Sequence, residues 1–370
     1  MTDNPLKRIG TFGQSLWLDY IRRDLITSGR LRAMIETDGL RGMTSNPAIF
    51  QKAIGESHEY DQDIKAMAKA GKSVPEIYES LSQQDVQGAA DAFRPVYEAT
   101  DGADGYVSLE VNPHLARDTS GTLAEARRLW AALDRPNVLI KVPATREGLP
   151  AIRQLVSEGI SVNVTLLFGL TRHREVAEAY LAGLEARAAE ARPLGRVASV
   201  ASFFLSRLDV RVDPLLESFY HQGGKPADLA RRLHGQLAIA SARLAYQGWK
   251  ELFGSSRFQA LARSGARPQR LLWASTGTKN PAYSDVKYVE ALIGPDTVNT
   301  IPPETLDAYR DHGQPAARLE QDLPAARAVF EGLAELGILI SDVTQQLEDA
   351  GVEQFNLPFD HLMQALAEKS

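Results

Sequence analysis

Residues 138–144 read Val138-Leu139-Ile140-Lys141-Val142-Pro143-Ala144, and this stretch sets the pattern for the fold of the whole chain. A short run rich in valine and isoleucine that ends at a proline is typical of a buried β-strand. Lys141 interrupts the run, and burial disfavours the charged form of an amine. A neutral buried lysine can attack a carbonyl and form a Schiff base. A structural lysine would instead meet a carboxylate or extend to water.

Seven further apolar segments of this kind recur along the chain, and helical patterns separate them. The eight predicted strands are Ser15–Tyr20, Leu40–Ser45, Gly105–Val111, Val138–Pro143, Ser161–Phe168, Val197–Phe204, Arg270–Thr276 and Val298–Ile301. The predicted helices between them include Leu123–Leu133, Leu149–Glu158, Arg172–Arg187 and Leu229–Leu244. Alternating strands and helices imply parallel strands with right-handed crossovers. Eight such units predict an α/β fold, a (β/α)8 TIM barrel with additional helices, rather than an open sheet.

Three intervals are too long for a plain crossover, and all three have helical periodicity. No long linker rich in serine, glycine or proline isolates any of them. We therefore expect a single domain over residues 1–370, with helical insertions around 49–103 and 212–267 and a C-terminal helical extension over 303–370. Residues 221–225 are expected to form a loop between two helices.

The bulk composition narrows the class of protein. Of 370 residues, 44% are hydrophobic and 24% charged, as is usual for a soluble globular protein, and the formal net charge of −6 speaks against a general nucleic-acid role. The absence of cysteine excludes disulfides and thiolate nucleophiles. No apolar run approaches a membrane span or a signal core, so we expect a cytoplasmic enzyme without a membrane partner. The seven histidines form no HExxH motif, and no GxGxxG follows a strand, so neither a metal nor a cofactor is expected.

Polar residues occur on or just after seven of the predicted strands. In a barrel of this type the C-terminal strand ends carry the catalytic groups, so these side chains should converge. In chain order they are Asp19, Asn46, Glu110, Lys141, Asn163, Thr165, Ser202 with Arg207, and Ser275 with Lys279. Asn163 and Thr165 are two residues apart and are expected to share a face of their strand.

The chemistry of an imine assigns roles to some of these residues. An amine that forms an imine must lose protons and water, so it needs a nearby carboxyl group as acid and base. Glu110 and Asp19 are the natural pair, in environments that can separate their pKa values. Asn46 and Asn163 suit substrate hydroxyls, and Thr165 suits a water or a proton relay.

A second group of residues suits a phosphate. Arg207 offers a bidentate fork and Lys279 a point charge, with Ser275 beside them. Phosphate sites near the seventh and eighth strands are frequent in this fold.

Each of these residues also has a structural interpretation. Asp19 can cap a helix that begins near residue 21, and Asn46-Pro47 can be a simple turn. Glu110 can pair with Lys141 for structural reasons alone. Arg207 and Lys279 can be surface charges, and both Ser202 and Ser275 can be small packing residues.

Four segments resemble the transaldolase family in sequence, order and spacing across nearly the whole chain. They are Asp38-Gly39-Leu40-Arg41-Gly42-Met43-Thr44-Ser45-Asn46-Pro47-Ala48-Ile49-Phe50, Val138-Leu139-Ile140-Lys141-Val142-Pro143-Ala144-Thr145, Val162-Asn163-Val164-Thr165-Leu166-Leu167-Phe168 and Ser202-Phe203-Phe204-Leu205-Ser206-Arg207. The Thr-Ser-Asn-Pro and Ile-Lys-Val-Pro-Ala blocks together are specific to that family.

The resemblance implies a (β/α)8 barrel whose lysine forms a Schiff base with a ketose phosphate, releases an aldehyde and passes a dihydroxyacetone unit to an aldose phosphate. It implies that Lys141 is the nucleophile and Asp19 the acid and base for the sugar hydroxyl. Glu110 would manage proton transfers through water with Thr165 beside it. The remaining implied ligands are Asn46 and Asn163 for the dihydroxyacetone unit and Arg207 for the phosphate, and Ser202 would also line the site.

The chain departs from the family pattern after the seventh strand. Relatives carry a short Ser-x-Arg-Asn there, whereas this chain has Ser275-Thr276-Gly277-Thr278-Lys279-Asn280, two residues longer and with lysine for arginine. The length suggests a long-chain subgroup, and either Lys279 or Thr278 is expected to complete the phosphate site.

Two other functions stay open on the sequence, an aldolase of the same superfamily and a non-catalytic barrel that binds sugar phosphates. Phe204, where a phenol would help an aldolase, and Glu110 both favour a transaldolase. Such an enzyme needs to keep water from its carbanion, and residues 355–360 followed by an amphipathic helix are expected to form a lid. The expected partners are small-molecule sugar phosphates, and the expected assembly is a monomer or homodimer.

Overall fold

The protein is described by a computed structural model over residues 4–370, and its centre is a closed barrel of eight parallel strands. The strands are β1 (Gln14–Asp19), β2 (Gly42–Thr44), β3 (Tyr106–Glu110), β4 (Val138–Pro143), β5 (Val162–Leu167), β6 (Ser199–Phe204), β7 (Arg270–Ala274) and β8 (Thr297–Ile301). They pair in chain order, and β8 returns to β1 with Thr297 opposite Gln14. The predicted (β/α)8 barrel is therefore confirmed.

All eight predicted strands are present, and their C-terminal ends lie within one residue of the predicted ones except in β7. Two strands, β7 and β5, are irregular at that end. β7 stops at Ala274, two residues early, because Ser275 has a φ of +54° and turns the chain away from the sheet. In β5 the register shifts between Val164 and Leu167, where Leu166 has a φ of +57°. Left-handed backbone at a residue other than glycine is uncommon and concentrates at functional sites. Both irregularities lie at the end of the barrel where the predicted site residues gather.

Seventeen α-helices are assigned between residues 4 and 370. They are α1 (Pro5–Ile9), α2 (Arg23–Thr27), α3 (Arg30–Thr37), α4 (Pro47–Phe50), α5 (Asp61–Lys69), α6 (Val74–Ala99), α7 (Thr119–Leu133), α8 (Gly148–Glu158), α9 (Leu170–Ala189), α10 (Ser206–Glu217), α11 (Gly224–Leu233), α12 (Leu237–Phe253), α13 (Ser256–Ala262), α14 (Lys287–Ala291), α15 (Pro303–His312), α16 (Leu323–Glu335) and α17 (Ile340–Lys369). Single turns of 3₁₀ helix occur at Gly10–Phe12, Pro113–Leu115 and Tyr220–Gln222, and a π-helical turn at Gln51–Gly55. Helices fill the three long intervals, around a single barrel.

Three of the four predicted helices lie inside α7, α8 and α9, and the fourth is wrong. The expected helix over residues 229–244 is broken into α11 and α12 between Leu233 and Leu237. Gly235 has a φ of +69° there, which a right-handed helix cannot accommodate, and its N–H donates to the Asp213 carboxylate at 2.8 Å. The expected loop at residues 221–225 does separate two helices, α10 and α11, but α11 already begins at Gly224.

The N-terminal end of the barrel is closed by a buried polar cluster around Arg270. The guanidinium donates to the Ser15 hydroxyl at 2.6 Å, to the Thr297 carbonyl at 2.8 Å and to the Asp104 carboxylate at 3.1 Å. These bonds join β7 to β1, β8 and the segment before β3. They hold the bottom of the barrel and leave its C-terminal end open for a site.

Helix α17 lies across the C-terminal end of the barrel. It is one continuous helix of 30 residues, although Pro358 lies inside it. The prediction of a separate stretch at 355–360 before the last helix is therefore wrong, and these residues occupy the middle of α17. Its inner face buries apolar side chains, among them Val352, Phe355 and Leu362. Within the described residues, no helix is long and apolar enough to cross a membrane.

Candidate active site

A cavity of about 170 Å³ lies at the C-terminal ends of the strands. Nine of the eleven predicted site residues line it, namely Asp19, Asn46, Lys141, Thr165, Ser202, Phe204, Arg207, Ser275 and Lys279. The other two, Glu110 and Asn163, do not line it but contact residues that do. The barrel thus brings together side chains that are up to 260 residues apart in sequence.

Lys141 lies in the wall of this cavity and is only 4% exposed. Its Nζ donates to the Ser45 carbonyl at 3.1 Å and lies 3.2 Å from an oxygen of Glu110. On its other side the ring centroid of Phe355 is 5.4 Å away. The amine is therefore held in one orientation, next to an acid and at the edge of an open space.

Glu110 approaches Lys141 from the neighbouring strand, since the two residues are paired between β3 and β4. Burial raises the pKa of the Glu110 carboxyl from 4.5 to about 7, although Lys141 opposes the shift. In the described part of the chain, neither carboxylate oxygen has a hydrogen bond of good geometry. A carboxyl that titrates near neutral pH can both give and take a proton. The contact between Glu110 and Lys141 is also the one expected if Glu110 has a structural role alone.

Asp19 lies at the end of β1 and accepts a hydrogen bond of 2.6 Å from the Thr44 hydroxyl. That hydroxyl is also 2.6 Å from the hydroxyl of Thr300. Burial raises the pKa of Asp19, and the charge of Lys141 and the bond from Thr44 act in the opposite direction. The alternative in which Asp19 caps a helix is wrong, because α2 begins only at Arg23 with Arg22 at its cap.

Asn46 has a local structural role and also lies in the wall of the cavity. Its Oδ1 accepts the Ile49 N–H at 3.0 Å and caps α4, while the residue also lines the cavity. The cap fixes the side chain and leaves its amide NH₂ free to donate to a substrate hydroxyl.

The two polar residues of β5 lie at different depths. Asn163 is fully buried, donates to the Ser108 hydroxyl at 3.0 Å and accepts from Ser202 at 2.7 Å. Thr165 lines the cavity, and its buried hydroxyl has no hydrogen-bond partner among residues 4–370. The Asn163 amide therefore holds the barrel interior together, whereas Thr165 keeps a polar atom available.

Two basic side chains, Arg207 and Lys279, also line the cavity. The Arg207 guanidinium packs on the Phe204 ring at 5.2 Å, and its buried Nη1 is without a partner in the described structure. Burial lowers the pKa of the Arg207 guanidinium. A half-buried cation that forms no ion pair with the described residues is suited to an incoming anion. Lys279 lines the same cavity but is exposed to solvent.

The loop after β7 carries both residues that were expected to complete the phosphate site, Lys279 and Thr278. The Thr278 hydroxyl donates to the Ser284 carbonyl at 2.8 Å and is used within the loop. Ser275, with its left-handed backbone, places its hydroxyl 2.9 Å from that of Ser206. Lys279 is thus the residue of this loop that brings a second positive charge to the cavity.

Seven residues that line the cavity were not among the predicted site residues, namely Thr44, Ala274, Gly277, Thr300, Pro302, Glu304 and Phe355. Thr44 and Thr300 lie on β2 and β8, and their position at strand ends was a usable signal. Glu304 and Phe355 belong to α15 and α17, and nothing local in the sequence links a helical residue to the barrel mouth. Across residues 4–370, no three His, Asp or Glu side chains are arranged to hold a metal ion.

The amino-acid sequence was compared with known protein families and proteins, and the matches belong to one family. Residues 16–366 match the family described as transaldolase/fructose-6-phosphate aldolase. The transaldolase of Trichodesmium erythraeum is 49% identical over an alignment of 373 positions that covers 100% of this chain and 98% of the relative. The transaldolases of Thermobifida fusca and Thiobacillus denitrificans are 48% and 49% identical, over 99% and 97% of this chain and 98% and 99% of the relatives. The chain belongs to the transaldolase/fructose-6-phosphate aldolase family.

Proposed function

We propose that this member of the family is a transaldolase of the pentose phosphate pathway that works through a Schiff base on Lys141. It transfers a dihydroxyacetone unit from sedoheptulose 7-phosphate or fructose 6-phosphate to glyceraldehyde 3-phosphate or erythrose 4-phosphate. The buried contact of 3.2 Å between Lys141 and Glu110 carries the proposal, because it places an amine beside a carboxyl that titrates near neutral pH. The names of relatives that match over their full length support the same activity.

The first stage joins the donor to the protein. The Lys141 amine attacks the C2 carbonyl of the ketose, and the carbinolamine that results loses water to give a protonated imine. Both changes move protons, and Glu110 gives and takes them, with Thr165 holding the water that relays them. The free hydroxyl of Thr165 and the raised pKa of Glu110 support these two roles.

The second stage breaks and remakes a carbon–carbon bond. Asp19 takes the proton from the C4 hydroxyl, the C3–C4 bond breaks, and its electron pair passes into the iminium while the aldehyde leaves. An acceptor aldehyde then receives the carbon nucleophile, and Asp19 returns the proton to the new hydroxyl. The raised pKa of Asp19 suits a group that must take up and release a proton in each cycle. The iminium is itself the electron sink, so this scheme calls for no added cofactor.

Binding of the sugar phosphate is assigned to the remaining residues of the cavity. Arg207 and Lys279, with Ser275, bind the phosphate. Asn46 and Ser202 hold the dihydroxyacetone unit, with Asn163 behind the cavity wall in contact with Ser202, and Phe204 lines the cavity without offering a proton. The unpaired Nη1 of Arg207 supports the phosphate assignment.

The setting of the enzyme follows from the activity. We place it in the cytoplasm as a monomer or homodimer that acts on small sugar phosphates and needs no nucleic acid. The metabolic role of the full-length relatives supports this placement.

Borohydride trapping tests the covalent step. Incubation with fructose 6-phosphate and borohydride should add one reduced dihydroxyacetone unit to the peptide that contains Lys141. A Lys141→Met variant should gain no mass, and a wild-type protein without a mass gain on that peptide would refute the Schiff base.

A coupled assay separates transfer from simple cleavage. Fructose 6-phosphate is supplied with and without erythrose 4-phosphate, and both glyceraldehyde 3-phosphate and free dihydroxyacetone are measured. A transaldolase turns over steadily only when the acceptor is present. Equal turnover with and without acceptor, with free dihydroxyacetone accumulating, would show an aldolase instead.

A further inference from the structure

The ring of Phe355 lies over the amine of Lys141, and it is contributed by helix α17 rather than by the barrel. The ring centroid is 5.4 Å from Nζ, the side chain is 4% exposed, and it lines the cavity of the active site. Lys141 therefore has a carboxylate on one side and an aromatic ring on another.

Contacts on both sides of Phe355 hold α17 in this position. Three ion pairs join the helix to surrounding elements, namely Arg172–Glu348 at 3.4 Å, Arg117–Asp349 at 2.5 Å and Asp61–Lys369 at 2.9 Å, and a hydrogen bond of 2.7 Å joins His114 to Asp360. At Gly351 the helix approaches β5 so closely that an added Cβ would lie 3.0 Å from the Leu166 side chain. One turn beyond Phe355, the Phe359 ring packs edge-on against Tyr78 with 5.4 Å between centroids. The ring of Phe355 is thus fixed over the amine by the tertiary structure.

An aromatic ring in this place has two physical effects on an imine at Lys141. Its face attracts the positive charge of a protonated imine, and the attraction grows as water is excluded. It also fills the space above the nitrogen with an apolar group that has no proton to give. The carbanion formed after C3–C4 cleavage meets an acceptor aldehyde or a proton, and water in the cavity would supply the proton.

We propose that Phe355 is a positioning residue that keeps the bound three-carbon unit from being protonated and so favours its transfer over its release. The proposal rests on the transaldolase function proposed above. Release requires a proton on C3 followed by attack of water on the imine, which frees dihydroxyacetone and restores the Lys141 amine. Transfer requires only a bond from C3 to the acceptor carbon. By removing water from above the imine, Phe355 slows the first route and leaves the second unaffected.

The test compares two substitutions on the same face of α17 in the full-length protein. Phe355→Leu keeps an apolar side chain and removes the ring, and Phe359→Leu does the same at a buried ring that does not line the cavity. Each variant is given fructose 6-phosphate and erythrose 4-phosphate, and the ratio of free dihydroxyacetone to transfer product is measured. We expect Phe355→Leu to raise this ratio several-fold, because the smaller side chain leaves room for water above the imine, and Phe359→Leu to leave it unchanged.

A second variant keeps the test decisive if Phe355→Leu does not fold. Phe355→Tyr retains the ring and adds a hydroxyl that can donate a proton near C3, so it too should raise the ratio. A ratio equal to wild type in each variant that folds would overturn the role of Phe355. Borohydride trapping of the wild type distinguishes this failure from a failure of the proposed function, because only the latter would remove the adduct on Lys141.

Discussion

The Nζ atom of Lys141 lies 3.2 Å from an oxygen of Glu110, and the two residues are only 4% and 7% exposed. A lysine and a glutamate this close could form a simple ion pair. Burial nevertheless raises the pKa of the Glu110 carboxyl to about 7. The pair is therefore suited to exchange a proton, which imine formation needs and a purely structural ion pair does not.

The raised pKa of Glu110 makes stability depend on pH. Between pH 4.5 and about 7 the folded protein binds more protons at Glu110 than the unfolded chain, so the free energy of unfolding falls as pH rises through this window. Glu110→Gln removes the titration and should reduce that fall by on the order of 1–3 kcal/mol. Urea unfolding at pH 5 and at pH 7.5 gives the free energy of unfolding at each pH, and the difference between the two values measures the fall. Glu98→Gln, at an exposed residue paired with Arg94, is the control, and parallel pH dependence of Glu110→Gln and wild type would contradict the prediction.

Substitution of Asp19 should separate cleavage from imine formation. Asp19→Asn cannot take the proton of the C4 hydroxyl, so kcat should fall about 10²- to 10⁴-fold. The Lys141 adduct with fructose 6-phosphate should still form, because Asp19 is not needed for attack of the amine. Steady-state kinetics and borohydride trapping measure the two effects. Cleavage at the wild-type rate would remove Asp19 from the mechanism.

The hydroxyl of Thr44 should lower the pKa of Asp19 without itself taking part in the proton transfer. Its hydrogen bond of 2.6 Å lowers the pKa of Asp19 against the effect of burial, so Thr44→Val should raise that pKa further. The acidic limb of the pH profile of kcat should then move to higher pH. The conservative Thr44→Ser keeps the hydroxyl and should restore the limb. A limb that stays in place in Thr44→Val would show that Asp19 does not control it.

The two basic residues of the cavity should contribute unequally to phosphate binding. Arg207 is half-buried and its buried Nη1 has no partner among residues 4–370, so Arg207→Gln should raise KM for fructose 6-phosphate about 10- to 150-fold. Lys279 is exposed, so Lys279→Ala should raise KM only a few-fold. Thr278→Val, which loses a bond within the loop, is the control and should leave KM nearly unchanged. Neither basic substitution should affect unphosphorylated fructose, and an equal loss with that sugar would argue against a phosphate role.

A phenol at residue 204 should change the fate of the carbanion. Phe204 lines the cavity beside Arg207 and offers no proton. Phe204→Tyr adds a proton donor of nearly the same shape, so release of free dihydroxyacetone should rise about 10-fold or more, a typical effect of a positioned acid. The coupled assay without acceptor measures this release. A variant that still releases none would place residue 204 away from the carbanion.

The sequence predicted the barrel because its evidence is local and repeated. Val138–Pro143 is apolar, β-branched and closed by proline, and seven similar segments follow the same alternation with helices. Polar residues at the strand ends are equally visible, which is why nine of the eleven predicted site residues line one cavity. The helix expected over residues 229–244 failed because a single glycine, Gly235, adopts a left-handed backbone that apolar spacing does not reveal.

The tertiary structure alone decided what surrounds Lys141. Its pairing with Glu110 depends on the register of β3 and β4, and the contact with Phe355 depends on a helix that begins about 200 residues later and returns across the barrel mouth. The raised pKa of Glu110 is a consequence of burial, which is a property of the packed protein. The sequence by itself determined a buried lysine on a strand of a barrel, since periodicity and residue type are local. Only packing decided how close the lysine lies to the expected carboxyl group and that an aromatic ring covers it, because contacts between distant segments are set by the closed barrel and the helix laid over it.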